Sequence, residues 1–283
     1  MAARRDGGRG GGADAAGHPH RHRPLAVRRE RRGRGALLTG ARRLSSGAAL
    51  DVLDEIDSTS AEARRRAADG ATGPLWIVAR RQTAGYGRRG SPWSAREGDF
   101  AGTFVFALNA PTRAAPQLSY VAALAAAEAV ERCAPAARAE LKWPNDVYVD
   151  GRKIAGVLLE LVGGEAPTVC LGVGGNIVSA PADLERATVR LADLAQNPPT
   201  IDEALDALDA SLAALLGVWR RDGFAPIRDA WTERAYGLGA AARIVGPGET
   251  IEGTLVGLDE DGALLLERPE GRARVVAGSL RFT

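Results

Sequence analysis

The stretch DVYVDGRKIAGVLLEL (146–161) limits the fold more than any other part of the chain. Two runs rich in Val, Ile and Leu flank Asp150-Gly151, the favoured two-residue connection of a β-hairpin. Pro144, just upstream, lacks an N–H and cannot join a central ladder. Further strands are read at 52–58, 75–81, 102–108, 137–143 and 168–177. A helix is expected over 58–70, with Ser58 or Thr59 as its cap, Glu62 placed for a capping box and Gly70 at its end. Pro116 to Cys133 carries Leu118, Val121, Leu124 and Ala125 at helical spacing. Thr200 and Glu203 form a second capping-box pattern. The helix they open carries Ile201, Leu205, Leu208, Leu212, Leu215 and Trp219. Pro226 to Arg234 predicts one more short helix. After Ala241 the texture changes to short strands and tight turns, including Asp261-Gly262. That predicts a small β-barrel, too small to be very stable unless docked on the body.

Charge divides the chain. Residues 1–50 hold 12 arginines against three acids, a net of +9, which leaves −7 for the rest of a chain whose formal net charge is +2. Residues 1–46 are rich in Gly, Ala and Arg, bury too little apolar surface to offset their ordering, and read as a disordered basic tail. The tail could bind nucleic acid nonspecifically or serve as a transit peptide, though it lacks a clear amphipathic face; an overextended start is an equal reading. It does not resemble a helix-turn-helix module, so sequence-specific DNA binding is not expected. The expected division is a tail over 1–46, a catalytic domain over 47–235 and a C-terminal SH3-like domain over 236–283. His18, His20 and His22 all fall in the tail. A body without histidine excludes a Ser-His-Asp triad, a Cys-His pair and a histidine metal site. Cys133 and Cys170 read as buried free thiols of a reducing compartment. No apolar run of about 18 residues predicts a membrane span, and no signal peptide is visible, so the chain is expected in the cytoplasm.

The loop AGYGRRGSPW (84–93) fits G-x-G-x-x-G through Gly85, Gly87 and Gly90. It is not a dinucleotide fingerprint, because the residues after Gly90 are helix breakers and no acid near residue 110 awaits a ribose. Nor is it a kinase loop or a P-loop, whose companion motifs are absent. Its chemistry still suits phosphate. Glycines let backbone N–H groups approach an anion, Arg88 and Arg89 supply forked donors, and Trp93 offers an aromatic face.

Only two of the 37 basic residues are lysine, Lys142 and Lys153, and both fall in LKWPNDVYVDGRKIAGVLLE (141–160). A retained lysine in an arginine-rich chain points to a need for a compact ammonium. Alternation puts Lys153, Ala155 and Val157 on one strand face, with Ala155 and Gly156 leaving room for a ligand. Asn145 and Asp146 stand ready to orient a substrate or hold a cation.

With these segments in order, the chain resembles the biotin–protein ligases. The motifs are DSTS (57–60), QTAGYGRRGSPW (82–93), KWPND (142–146), GRKIAGVLLE (151–160) and GVGGN (172–176), and the resemblance covers about residues 50–283. It implies an α+β fold: a mixed β-sheet with helices on one side, related to class II aminoacyl-tRNA synthetases, plus a C-terminal SH3-like β-barrel. It implies two steps, formation of biotinyl-5′-AMP from biotin and Mg2+-ATP, then transfer of biotin to a lysine of the biotin carboxyl carrier protein of acetyl-CoA carboxylase. No tightly bound cofactor is implied, and a homodimer is left open. By the same resemblance Ser58, Thr59 and Ser60, with Gln82, Gly85, Tyr86, Gly87, Arg88 and Gly156, form the biotin site. Lys153 bridges biotin's carboxylate and the α-phosphate. Arg88, Arg89, Trp93, Lys142, Asn145 and Asn176 serve ATP and the adenylate, with Trp93 covering adenine. Asp146 serves the metal–phosphate end and orients the incoming amine. Lys153, Arg88 and Asp146 are the catalytic set.

Three positions depart from the family pattern. Tyr86 replaces the first arginine of its glycine loop, Ser91 the last, and Ser60 stands where asparagine is usual. A lipoate–protein ligase, sharing fold and adenylate chemistry, is the nearest rival. A non-enzymatic nucleic-acid binder acting through the tail is the rival of a different class.

Overall fold

In a computed structural model the described residues are 44–181, 187–246 and 250–282. The expected basic tail lies outside them up to residue 43, but its last residues belong to the body. Leu44 is buried in the main core, and Ser46 bonds the buried carboxylate of Asp209.

The main sheet has seven strands in the order β1-β2-β3-β7-β6-β5-β4. They are β1 (Ala49–Ile56), β2 (Leu75–Gln82), β3 (Phe100–Ala107), β4 (Ala139–Lys142), β5 (Asp146–Val149), β6 (Arg152–Val162) and β7 (Thr168–Gly175). β1 and β2 pair in parallel across the helix between them, α1 (Thr59–Ala68); every other neighbouring pair is antiparallel. The sheet is therefore mixed, as the motifs implied. Asp150 and Gly151 both take positive φ, 50° and 69°, as a two-residue turn matching strand twist requires.

Helices cover both faces, which corrects the one-sided arrangement. The strands alternate two apolar sets. Ile77, Val105 and Cys170 pack with Ala63 of α1. Trp76, Val78, Phe104, Leu171 and Val173 face the other way into the larger core. That core is completed by α2 (Gln117–Cys133), α3 (Ile201–Asp222) and α4 (Ala225–Glu233). Thr200 and Glu203 form the expected capping box. At α1 the cap is Ser58, and Glu62 is one position too far along to complete a box; it pairs with Arg65 and Arg66 instead.

Residues after α4 build a second, antiparallel sheet in the order β11-β10-β9-β8-β12. Its strands are β8 (Ala241–Val245), β9 (Thr250–Leu258), β10 (Leu264–Glu267), β11 (Ala273–Val275) and β12 (Ser279–Phe282). It docks on the body as its size demands. Tyr120 of α2 donates to the Gly262 carbonyl, and Tyr236 stacks on Tyr148 at 5.1 Å while meeting Phe282 edge-on. Burial pushes the Tyr120 hydroxyl up to about 12. No helix among the described residues is long and apolar enough to cross a membrane.

One buried acid ties the body together. Asp209 of α3, fully buried, accepts from the Trp76 indole at 2.7 Å and from the Ser46 amide at 2.9 Å and hydroxyl at 2.5 Å. Removing it strands these donors in the core. Asp209→Ala should lower folding stability by about 3 kcal/mol, seen as a fall in melting temperature of roughly 6–12 °C. An unchanged melting curve would contradict this account of the core.

Candidate active site

The face of the main sheet that carries α1 is bare at its centre. Gly156 on β6 and Gly172 and Gly174 on β7 leave a floor without side chains. The indole of Trp93 lies on it, so close that a Cβ at Gly174 would sit 2.3 Å from the ring. Only glycine fits there. The Trp93 Nε1 is buried and has no hydrogen-bond partner. One side of its ring is thus taken up by the glycine floor, and the ring itself stays partly exposed.

Lys153 arrives on this face through a β-bulge. Val147 pairs with Ala155 but Tyr148 pairs with Lys153, so Ile154 is an extra residue. The expected alternation of Lys153, Ala155 and Val157 is broken, since a bulge re-aims the residues on either side. Ala155 and Val157 enter the larger core, while the Lys153 ammonium stands 3.1 Å from where a Cβ of Gly156 would be. There Nζ meets Asp146 Oδ1 at 2.5 Å, with side chains only 12% and 9% exposed, and lies 5.4 Å from the centre of the Trp93 ring. The Lys153 backbone is held by Ala187 and Val189. The Asn176 side-chain amide reinforces this, donating to the Val189 and Lys153 carbonyls at 3.1 and 3.4 Å. Asn176, expected at the adenylate, here holds the frame around Lys153.

The arginine loop folds back on itself: Trp93 N donates to the Gly85 carbonyl and Gly87 N to the Ser91 carbonyl. Tyr86 donates to Glu160 Oε2 at 3.1 Å and so latches the loop to β6 in place of the arginine usual there. Arg88 is half-buried and reaches Asn145 Oδ1 at 3.5 Å. Burial, followed by the like charge of Arg89, lowers its guanidinium from the ordinary value, while Asp146 works in the opposite direction. Arg89 is exposed, with φ of 57°. Asn145, just before β5 begins, donates through Nδ2 to the Val157 carbonyl at 2.7 Å.

The α1 N-terminus closes the other end. Ser58, Thr59 and Ser60 are all buried. Gln82 Oε1 accepts from Thr59 N at 2.8 Å and Thr59 Oγ1 at 3.2 Å, and Thr103 Oγ1 bonds Thr59 and Ser60. Just outside, Arg65 grips Asp57 with both guanidinium arms, which holds that carboxyl down at about 2.

Lys142 lies apart from this cluster. Its ammonium sits 5.2 Å from the Tyr148 ring centre and 5.9 Å from that of Phe282, against the second sheet. The structure therefore brings together Ser58, Thr59, Ser60, Gln82, Trp93, Asp146, Lys153 and Gly156, with Arg88 and Asn145 at the rim.

Asp99 was not legible in the sequence. Its buried carboxylate accepts from the amides of Ile177, Val178 and Ser179 at 2.9–3.0 Å, from Arg96 N at 2.9 Å and from the Ser179 hydroxyl. It ties the end of the arginine loop to the segment that continues from Asn176. Among the described residues no cluster of three or more acids, cysteines or histidines could hold a metal ion alone. Asp146 is the acid nearest the site's cations, and one carboxylate with substrate phosphates is an ordinary Mg2+ donor set.

Comparison with known proteins agrees with this geometry. Residues 52–176 match the biotin/lipoate A/B protein ligase family, and residues 238–280 match the biotin protein ligase C-terminal domain. The chain is 41% identical to the biotin–[acetyl-CoA-carboxylase] ligase of Paracoccus denitrificans over 82% of its own length and 99% of that protein's. It is 34% identical to the ligase of that name from Mycobacterium tuberculosis, over 81% and 86%. The Aquifex aeolicus biotin protein ligase, solved in complex with biotin and ATP, superposes with a TM-score of 0.71 at 29% identity, covering 83% of this chain and 99% of that one.

Asp99→Ala leaves several buried amides without an acceptor, a loss of about 2–4 kcal/mol. Urea denaturation should register it, and native-state hydrogen exchange should show protection lost first at residues 177–179. Unaltered exchange there would mean that Asp99 does not anchor the segment.

Proposed function

This chain belongs to the biotin/lipoate A/B protein ligase family, and from that premise we infer that it is a biotin–[acetyl-CoA-carboxylase] ligase. It activates biotin with ATP to biotinyl-5′-AMP and passes the biotinyl group to a lysine of the biotin carboxyl carrier protein. The observation that carries this reading is the buried Lys153–Asp146 pair standing over a glycine floor, with an arginine loop at its edge. A cytoplasmic setting, where ATP and the carrier are both found, goes with it. The C-terminal domain match and the biotin ligases among its relatives favour biotin over lipoate.

The chemistry follows from the charges. A carboxylate is a poor acyl donor until one of its oxygens carries a good leaving group. In the first step that oxygen bonds the α-phosphorus of ATP, and the bond from that phosphorus to the pyrophosphate oxygen breaks. Two anions must meet, so fixed positive charge lowers the barrier. Lys153 lies between the two ligand halves. An ammonium offers three N–H donors around one point, which suits a place where carboxylate and phosphate oxygens converge. Arg88, whose burial weakens its hydration, takes phosphate oxygens from the rim. Asp146 is the residue that would hold a Mg2+ brought with ATP, and the ion would offset phosphate charge there. Trp93 walls the biotin end, and Ser58, Thr59 and Gln82 hold its ring. In the second step the carrier's lysine amine attacks the acyl carbon, AMP leaves with the former carboxylate oxygen, and the amine loses a proton. Asp146 orients that amine.

The decisive experiment is biotin-dependent ATP–pyrophosphate exchange, followed by transfer of labelled biotin to a carrier domain. Exchange with lipoate and none with biotin would overturn the reading. Lys153→Ala should reduce biotin-driven exchange by on the order of 10²- to 10³-fold. Turnover equal to the parent chain would remove Lys153 from the mechanism. Arg88→Gly should keep exchange measurable yet let biotinyl-5′-AMP accumulate in the filtrate, because the rim no longer retains it. A filtrate free of adenylate would contradict that role.

A further inference from the structure

Beneath the α1 N-terminus runs a chain of side chains whose protons all point one way. Thr103, in the middle of β3, has no solvent exposure at all. Its Oγ1 donates to Thr59 Oγ1 at 3.0 Å. Thr59 Oγ1 donates to Gln82 Oε1 at 3.2 Å, and Thr59 N donates to the same oxygen at 2.8 Å. A backbone N–H can only donate, so the Gln82 atom that faces Thr59 must be its oxygen. A hydroxyl has a single proton. Thr103 has committed its own to Thr59, so the 3.3 Å contact between Ser60 and Thr103 forms only with Ser60 as donor. The order is Ser60 to Thr103 to Thr59 to Gln82.

The direction has a result at the far end. With its oxygen taken by two donors, the Gln82 amide turns its Nε2 away from α1 and toward the arginine loop, where it stands 2.6 Å from the position of a Cβ at Gly85. The group offered at that point is an N–H donor held in one orientation. We propose that Thr103, with Ser60, is a positioning residue that fixes this orientation, so that the site selects a ligand ring bearing a carbonyl acceptor, such as a cyclic urea, over a ring bearing only sulfur. The inference rests on the ligase reading above and adds a source of its ring selectivity. A site built around an oriented donor discriminates strongly against rings that cannot accept, because the donor is then left unpaired. Ser60, which stands where the family usually has asparagine, supplies the first proton of the chain.

Thr103→Val keeps shape and removes the hydroxyl. The Michaelis constant for biotin should rise roughly tenfold, the loss of one aligned hydrogen bond, while kcat and the Michaelis constant for ATP stay within about twofold. Dethiobiotin, which keeps the cyclic urea, should suffer the same rise. Thr103→Ser should restore the parent value. Ser60→Ala breaks the chain one link earlier at a less buried position, and a rise of about threefold in the biotin constant is expected there. It serves equally if Thr103→Val does not fold. An unchanged biotin constant in both variants overturns the proposal. So does an equal loss on biotin and ATP accompanied by a lower melting temperature, which is what a merely structural hydroxyl would give. Biotin-driven exchange by the parent chain, measured in parallel, separates the two inferences. If the parent shows none, both fall. If the parent exchanges and the variants match it, only the positioning role falls.

Discussion

The site depends on one electrostatic contact, the pairing of Lys153 with Asp146 beside a floor where β6 and β7 offer glycine instead of side chains. A buried ammonium is costly without a partner, and a buried carboxylate equally so. Each makes the other's position tenable. The bulge at Ile154 is what lets them meet. Without the extra residue, Lys153 would follow Ala155 and Val157 into the apolar core, where a charge could not stay. Strand geometry and charge placement are therefore a single solution. The hairpin turn sets the register, the bulge alters it, and Asp146 receives the result.

Around that pair the fold supplies rigid support at three points. Asn176 spends its amide on the backbone that flanks Lys153. Asp99 gathers three consecutive amides and joins them to the end of the arginine loop. Tyr86 fastens the loop's first turn to Glu160. None of these groups carries the chemistry, yet each determines where a cation stands. Removing a histidine-based strategy from the body leaves such fixed cations as the means of stabilising developing negative charge, and fixed cations are useful only when their frame does not relax.

Much of this was legible in the residues. The hairpin, the helices, the capping box at Thr200 and the ordered motifs follow from local patterns of period, turn chemistry and capping. Lys153 stood out because lysine is so scarce. Its face did not, because a bulge inserts one residue into a period-two pattern without leaving a mark in composition. Lys142 shared the same scarcity and pointed to the same site, but aromatic rings from two domains hold it elsewhere. Such a contact arises only when distant segments meet. Asp99 reads locally as one more acid after a glycine, and its role depends on amides nearly eighty residues later. Thr103 looks like any β-branched strand residue. Its importance comes from one proton, given to Thr59, and from Ser60 donating to it in turn.

Trp93 carries a consequence of a different kind. Three other indoles, Trp76, Trp143 and Trp219, donate to Asp209, Tyr120 and Gln117, whereas the Trp93 nitrogen is buried without an acceptor beside an ammonium. Its excited state is therefore exposed to the field of Lys153 in a way theirs is not. Any molecule that supplies an oxygen to that nitrogen, or draws the ammonium aside, alters the local field, so the emission colour and quantum yield of this one chromophore give the pocket an intrinsic optical readout of occupancy.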